Sequence, residues 1–122
     1  MWDSVYWYTH DALVHYISPH GLEQYSGAAW GTRDVCQGPA EYFLAFNKLE
    51  NVKQIILDVY KHQFLEDGDF PQWFMFDRYF NIQDSSSHGD IIVWPARLLA
   101  LYLEVLLHRS LPSSQYMLRL AW

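Results

Sequence analysis

The sequence predicts an all-α chain of four to five helices with long aromatic loops gathered at one end. Apolar residues recur at three- and four-residue steps in several stretches, the spacing of one face of a helix. No stretch alternates apolar and polar residues as a half-buried strand would, so no strand is expected. The helical stretches are separated alternately by short turns and by long aromatic loops interrupted by glycine or proline. With 122 residues, 51% of them hydrophobic and 18% charged, the chain has room for one core and falls outside the disordered and collagen-like classes.

The first helix is read over residues 6–18 from Val5, Tyr8, Ala12, Leu13, Tyr16 and Ile17, and Ser18-Pro19 stops it. Residues 20–38 hold Gly21, Gly27, Gly31 and Gly38 with Trp30 and follow neither period, so they read as a long functional loop. Pro39 suits the first turn of a second helix reaching about Leu49 through Tyr42, Phe43 and Phe46, while Asp34 suits the cap of an earlier tight turn. Either way, Asp34 stands where a helix begins. From Asn51, the residues Val52, Ile55, Ile56, Val59 and Tyr60 trace the stripe of a third helix.

Glu66-Asp67-Gly68-Asp69 opens a second loop, continuing through Phe70, Pro71, Trp73, Phe74 and Phe76 to Asp77. It is too aromatic and proline-interrupted for a solvent turn and is expected to fold back over another part of the chain. After the polar turn 84–89, Asp90 is placed to cap a fourth helix running to about His108. That helix, through Trp94, Leu98, Leu99, Tyr102, Val105 and Leu106, is apolar on more than one face. Four or five helices of this kind leave hydrophobic surface that wants neighbours from further polypeptide or from another chain.

Composition narrows the function classes. Fourteen acidic against eight basic residues give a formal charge of −6 with no basic block, which argues against nucleic acid. A single cysteine, Cys36, excludes an internal disulfide and fits a reducing compartment, and residues 1–18 lack a secretory pattern, so the cytoplasm is the default location. The most apolar stretch, 91–107, contains Pro95, Arg97 and Glu104 and falls short of the roughly 20 apolar residues of a membrane span. Six Trp, nine Tyr and seven Phe suit either a dense core or a sugar-stacking cleft.

No metal-ligand or phosphate-loop motif is present, and no two of the six histidines fall at i, i+4, so no metal site is expected. His10, His15, His62 and His108 read as helix-face residues, whereas His20 and His88 lie in loops beside glycine, where they can reach a ligand. The loop carboxylates Glu23, Asp34, Asp67, Asp69, Asp77 and Asp90 are candidate acids or turn caps. A carboxyl desolvated by aromatic neighbours can donate a proton near neutral pH, as sugar chemistry requires.

The run Trp30-Gly31-Thr32-Arg33-Asp34-Val35-Cys36-Gln37-Gly38-Pro39 resembles glycoside hydrolase family 94. So do Ser18-Pro19-His20-Gly21 before it and Asp67-Gly68-Asp69-Phe70-Pro71-Gln72-Trp73-Phe74 after it. With Ser87-His88-Gly89-Asp90, the wording looks most like the family's 1,2-β-oligoglucan phosphorylase branch, and Gly38 stands where disaccharide-cleaving members carry a second aspartate. The resemblance spans residues 7–104, with 108–122 a divergent tail, and makes residues 1–122 a single partial catalytic domain.

The resemblance implies part of an (α/α)6 toroid with its active site at the loop-bearing end. It also implies inverting phosphorolysis of a β-glucoside, such as a 1,2-β-glucan or a cellobiose-like sugar, to α-glucose 1-phosphate. The partners implied are a β-glucan oligosaccharide and inorganic phosphate as co-substrate, with no other cofactor. In the family motif the aspartate after the arginine is the general acid, here Asp34. Trp30 and Arg33 are expected to line the donor subsite, and Gln72, Trp73, Asp77, His88 and Asp90 to contact sugar.

The family's phosphate loops lie further downstream, and a closed toroid needs more helices than are read here. The chain therefore reads as a fragment carrying the acid loop, with surface prepared for self-association or for the rest of the domain. Two other readings stand beside the phosphorylase: an inverting hydrolase on the same toroid, with a carboxylate such as Asp90 activating water, and a non-catalytic sugar-binding or interaction piece.

Overall fold

Val52, Ile55, Ile56 and Val59 are all buried on one stripe, and the rest of the core is arranged around the helix that carries them. The computed structural model describes residues 2–17, 29–86 and 89–110. Its elements are α1 (Trp2–Ile17), β1 (Ala29–Gly31), α2 (Thr32–Val35), α3 (Gly38–Ala45), α4 (Leu49–Tyr60), β2 (Trp73–Met75), a 3-10 turn (Asp77–Tyr79) and α5 (Val93–Ser110). The chain is mostly helical, as its periodicity predicts. Among the described residues no helix is long and apolar enough to cross a membrane.

α4 packs against α3 on one side and α5 on the other, and α1 lies against α3. The turn between α3 and α4 is short, so the two helices run antiparallel. The start of α3 and the end of α4 therefore share one end of the array. α3 ends at Ala45, earlier than the expected Leu49, because the chain reverses through Asn47. Asn47 adopts a left-handed φ of 58°, which asparagine tolerates better than most residues. α1 begins at Trp2 rather than Tyr6 and leaves Tyr6 and Tyr8 76% exposed and Trp7 66% exposed.

The expected absence of strands is corrected. β1 and β2 pair antiparallel, with Ala29 opposite Met75, Trp30 opposite Phe74 and Gly31 opposite Trp73. Three residues are too few to display an alternating pattern, and the partners come from distant parts of the sequence. Within the stretch read as one long loop, the described residues 29–35 are this strand and the helical turn after it. The aromatic segment 70–76 does fold back over the core: Phe70, Pro71 and Phe74 are buried.

Thr32 locks the two segments together. It is fully buried, its hydroxyl donates to the Pro71 carbonyl at 2.5 Å, and its backbone N–H donates to the Gln72 carbonyl at 3.0 Å. Thr32→Val keeps the shape but leaves the Pro71 carbonyl without that donor. The expected loss is about 1–3 kcal/mol, read as a lower urea midpoint at unchanged slope.

Candidate active site

The segment after β1 is set up by its buried residues. Gly31 enters α2 in extended conformation, and Thr32 and Val35, one turn apart, are both buried. That anchoring leaves Arg33 half-buried and Asp34 exposed on the same helical turn. The Asp34 carbonyl accepts the Gln37 N–H at 3.2 Å, and the Gln37 carbonyl accepts the Glu41 N–H at 2.8 Å, so the turn runs directly into α3.

Arg33 reaches across to the start of α5, where its Nη1 lies 3.4 Å from Oδ2 of Asp90. The same oxygen accepts the indole N–H of Trp94 at 3.3 Å. The expected capping role for Asp90 is corrected here: α5 starts at Val93, whose N–H goes to the Asp90 main-chain carbonyl, while the side chain serves Trp94 and Arg33. The Trp94 N–H, helped by the Arg33 charge, holds the Asp90 carboxyl below the ordinary carboxylate range against the opposing effect of desolvation. Asp90 is therefore an anion and a hydrogen-bond acceptor at neutral pH. Its other oxygen, Oδ1, is buried and accepts no hydrogen bond among the described residues, and the same holds for Oε1 of Gln72.

The register of the small sheet decides which of the other expected site residues lie near Asp34. Gln72 and Trp73 are at the Gly31 end of the ladder, beside the turn that carries Arg33 and Asp34. Asp77 follows the opposite end, past Met75, and starts the 3-10 turn with a left-handed φ of 52°. Trp30 is 5% exposed and packs edge-on against Phe76 at 4.8 Å and Phe74 at 6.2 Å. His20, Glu23 and His88 lie outside the described residues. Asp67 and Asp69 act as turn acceptors, for the N–H groups of Asp69 and Phe70. Among the described residues, no three His, Cys, Asp or Glu side chains gather as metal ligands would.

Over 102 residues, 84% of this chain, the sequence is 59% identical to a 1,2-β-oligoglucan phosphorylase of Listeria innocua serovar 6a. The chain is homologous to a segment of that phosphorylase. The resemblance carried by the Trp30–Pro39 and Asp67–Phe74 motifs is thereby shown. The matched region is 9% of the phosphorylase's length. No family model matches the chain.

Two residues of this phosphorylase-like segment escaped the sequence reading. Trp94 was expected only as an apolar position on a helix, yet its indole N–H fixes Asp90. His62 was read as a helix-face residue. It lies just past α4, 4% exposed, its ring stacked on Phe74 at 4.0 Å and against Phe80 at 4.1 Å. Its Nδ1 is 2.8 Å from the Asp58 carbonyl and its Nε2 is 3.1 Å from the Met75 carbonyl.

Burial pulls the His62 pKa below its ordinary 6.5, outweighing the two carbonyls and the Asp58 charge, which favour the protonated form, while Lys61 adds to the lowering. Between the lowered and the ordinary value the unfolded chain binds the extra proton. His62 thus contributes stability that is complete above about pH 6.5 and is lost as the pH falls below it. Unfolding free energies measured from pH 7.5 down to 5 are expected to decline, and His62→Gln is expected to flatten the decline.

Proposed function

We propose that this segment supplies the general acid and part of the sugar cleft of an inverting β-glucan phosphorylase. The observation that carries the reading is the 59% identity to a 1,2-β-oligoglucan phosphorylase over most of this chain. Asp34 donates its proton to the glycosidic oxygen as the bond from that oxygen to the anomeric carbon breaks. An oxygen of inorganic phosphate attacks the anomeric carbon from the opposite face, forming α-glucose 1-phosphate and releasing a shortened glucan. Arg33, Gln72 and Trp73 line the sugar cleft beside Asp34, with His88 and Asp90 as further members of the site, while Trp30 packs behind it in the core and Asp77 lies beyond the far end of the small sheet. Asp90 acts on the sugar through the Arg33 it holds.

The chemistry of Asp90 also favours phosphorolysis over hydrolysis. An inverting hydrolase needs a carboxylate free to activate water. Oδ2 of Asp90 is shared by Trp94 and Arg33, and Oδ1 is shut away from solvent. Phosphorolysis needs no such base, because phosphate is the nucleophile. The apolar residues exposed on α1 and α5, among them Val5, Trp7, Leu103 and Leu107, suit contact with further helices of a toroid or with a second copy.

The experiment is release of α-glucose 1-phosphate from short 1,2-β-glucan by the purified chain, with and without inorganic phosphate. Phosphate-dependent release supports the phosphorylase reading, and glucose released equally without phosphate replaces it by hydrolysis. Silence from folded, helical protein means that the acid turn is present without the phosphate half of the site.

A further inference from the structure

One cavity among the described residues lies away from Asp34. It has a volume of about 560 Å3 and lies between the segment that follows α4 and the residues after the 3-10 turn. None of Arg33, Asp34, Gln72, Trp73 or Asp90 lines it. It nevertheless sits at the same end of the array, since the end of α4 and the start of α3 lie together. An aromatic row connects the two places: Trp30 packs on Phe76, Phe76 faces His62 at 6.2 Å, and His62 lines the cavity.

We propose that this cavity is a second carbohydrate pocket, taking a neutral stretch of the glucan chain outside the Asp34 cleft. The proposal rests on the phosphorylase reading for the identity of the sugar, and on its own lining for the class of ligand. Phe80 is 40% exposed and is held by its contact with the buried His62 ring, so a flat apolar face is fixed at the cavity wall. Around it stand Asn81, Gln83 and Ser85, whose amide and hydroxyl groups make no side-chain hydrogen bonds among the described residues. Gln63 donates from Nε2 to the Gly68 carbonyl at 2.7 Å, which fixes the orientation of its amide.

Amide groups and a hydroxyl beside a ring can exchange hydrogen bonds with sugar hydroxyls while the ring covers an apolar sugar face. The charge pattern argues against an anion. Lys61 is the lining cation, its Nζ is already held by Asp58 at 2.8 Å, and Glu66 and Asp67 are also in the lining. A phosphate group would meet two carboxylates and a cation that is already paired.

The test is a nuclear magnetic resonance titration of the 15N-labelled chain with a short 1,2-β-gluco-oligosaccharide, and separately with inorganic phosphate. Two sets of signals report independently: the side-chain amides of Gln63, Asn81 and Gln83 for the pocket, and the Trp94 indole N–H for the Asp34 cleft. Expected are saturable shifts of the amide signals with sugar and none with phosphate. A folded Asn81→Ala/Gln83→Ala variant is expected to bind about tenfold more weakly at the pocket while the Trp94 shift is retained.

Amide signals that stay still while the Trp94 signal moves overturn the pocket and leave the phosphorylase reading standing. Amide signals that move while Trp94 stays still support the pocket and count against the cleft. If neither set moves in folded protein, both fail. Amide shifts with phosphate alone overturn the neutral class of ligand.

Discussion

Asp34→Asn is expected to lower phosphate-dependent formation of α-glucose 1-phosphate by about 10²–10⁴-fold, the range that a positioned general acid contributes. The substitution keeps the size and planarity of the side chain and removes the proton that the leaving oxygen must receive. Asp34 is exposed, and the turn around it is held by Thr32, Val35 and the backbone bonds into α3, so the fold has no need of the carboxyl. The loss should therefore fall on kcat, with KM for the glucan nearly unchanged. A fall in kcat with a rise in KM and a lower unfolding midpoint would mean that Asp34 is structural, and turnover surviving the substitution would remove it from the role of acid. Asp90→Asn gives the contrast. It keeps an acceptor for Trp94 but weakens the hold on Arg33, so its effect should appear first in KM.

The helices were legible because their signals are local. The stripe Val52, Ile55, Ile56 and Val59 repeats at helical spacing, and α4 begins two residues before the expected Asn51. The strands were not legible because they exist only through each other: Trp30 and Phe74 become a ladder pair across the fold, and neither three-residue segment has a period of its own. The candidate site divides in the same way. Asp34, Arg33 and Asp90 could be picked out by motif, but no spacing says that Arg33 and Asp90 pair, or that Trp94 rather than the helix N-terminus takes the Asp90 side chain.

His62 was misread because what buries it arrives from Phe74 and Phe80, later in the chain. Gln63, Asn81 and Gln83 carry no motif at all, since neutral amides are common in loops and only the fold brings these three to one cavity. Cys36 shows the opposite case. It is correctly read as having no disulfide partner in the chain, and burial pushes its thiol up to about 12, so it acts as a small apolar core residue and not as a nucleophile.

Phe74→Ala is expected to cost about 3–5 kcal/mol, the usual range for removing a buried phenylalanine ring. Phe74 is fully buried and touches rings on three sides: His62 at 4.0 Å, Phe76 at 5.4 Å and Trp30 at 6.2 Å between centroids. Because its neighbours are rigid rings from separate segments, they cannot all close into the vacated space, and the cavity cost stays near the upper end. Set against a total stability of about 5–15 kcal/mol for a domain, one substitution consumes a third or more of it. β2 also positions Gln72 against Thr32, so the loosening should reach the Asp34 turn before the chain unfolds as a whole. Hydrogen exchange at the Thr32 amide is expected to accelerate more than exchange at the Ile56 amide, midway along α4. Phe74→Leu, which retains most of the apolar volume, should lose distinctly less stability and leave Thr32 better protected. Equal acceleration at both amides in Phe74→Ala would mean that the sheet and the helical core open as one unit, and that Phe74 does not act specifically on the site.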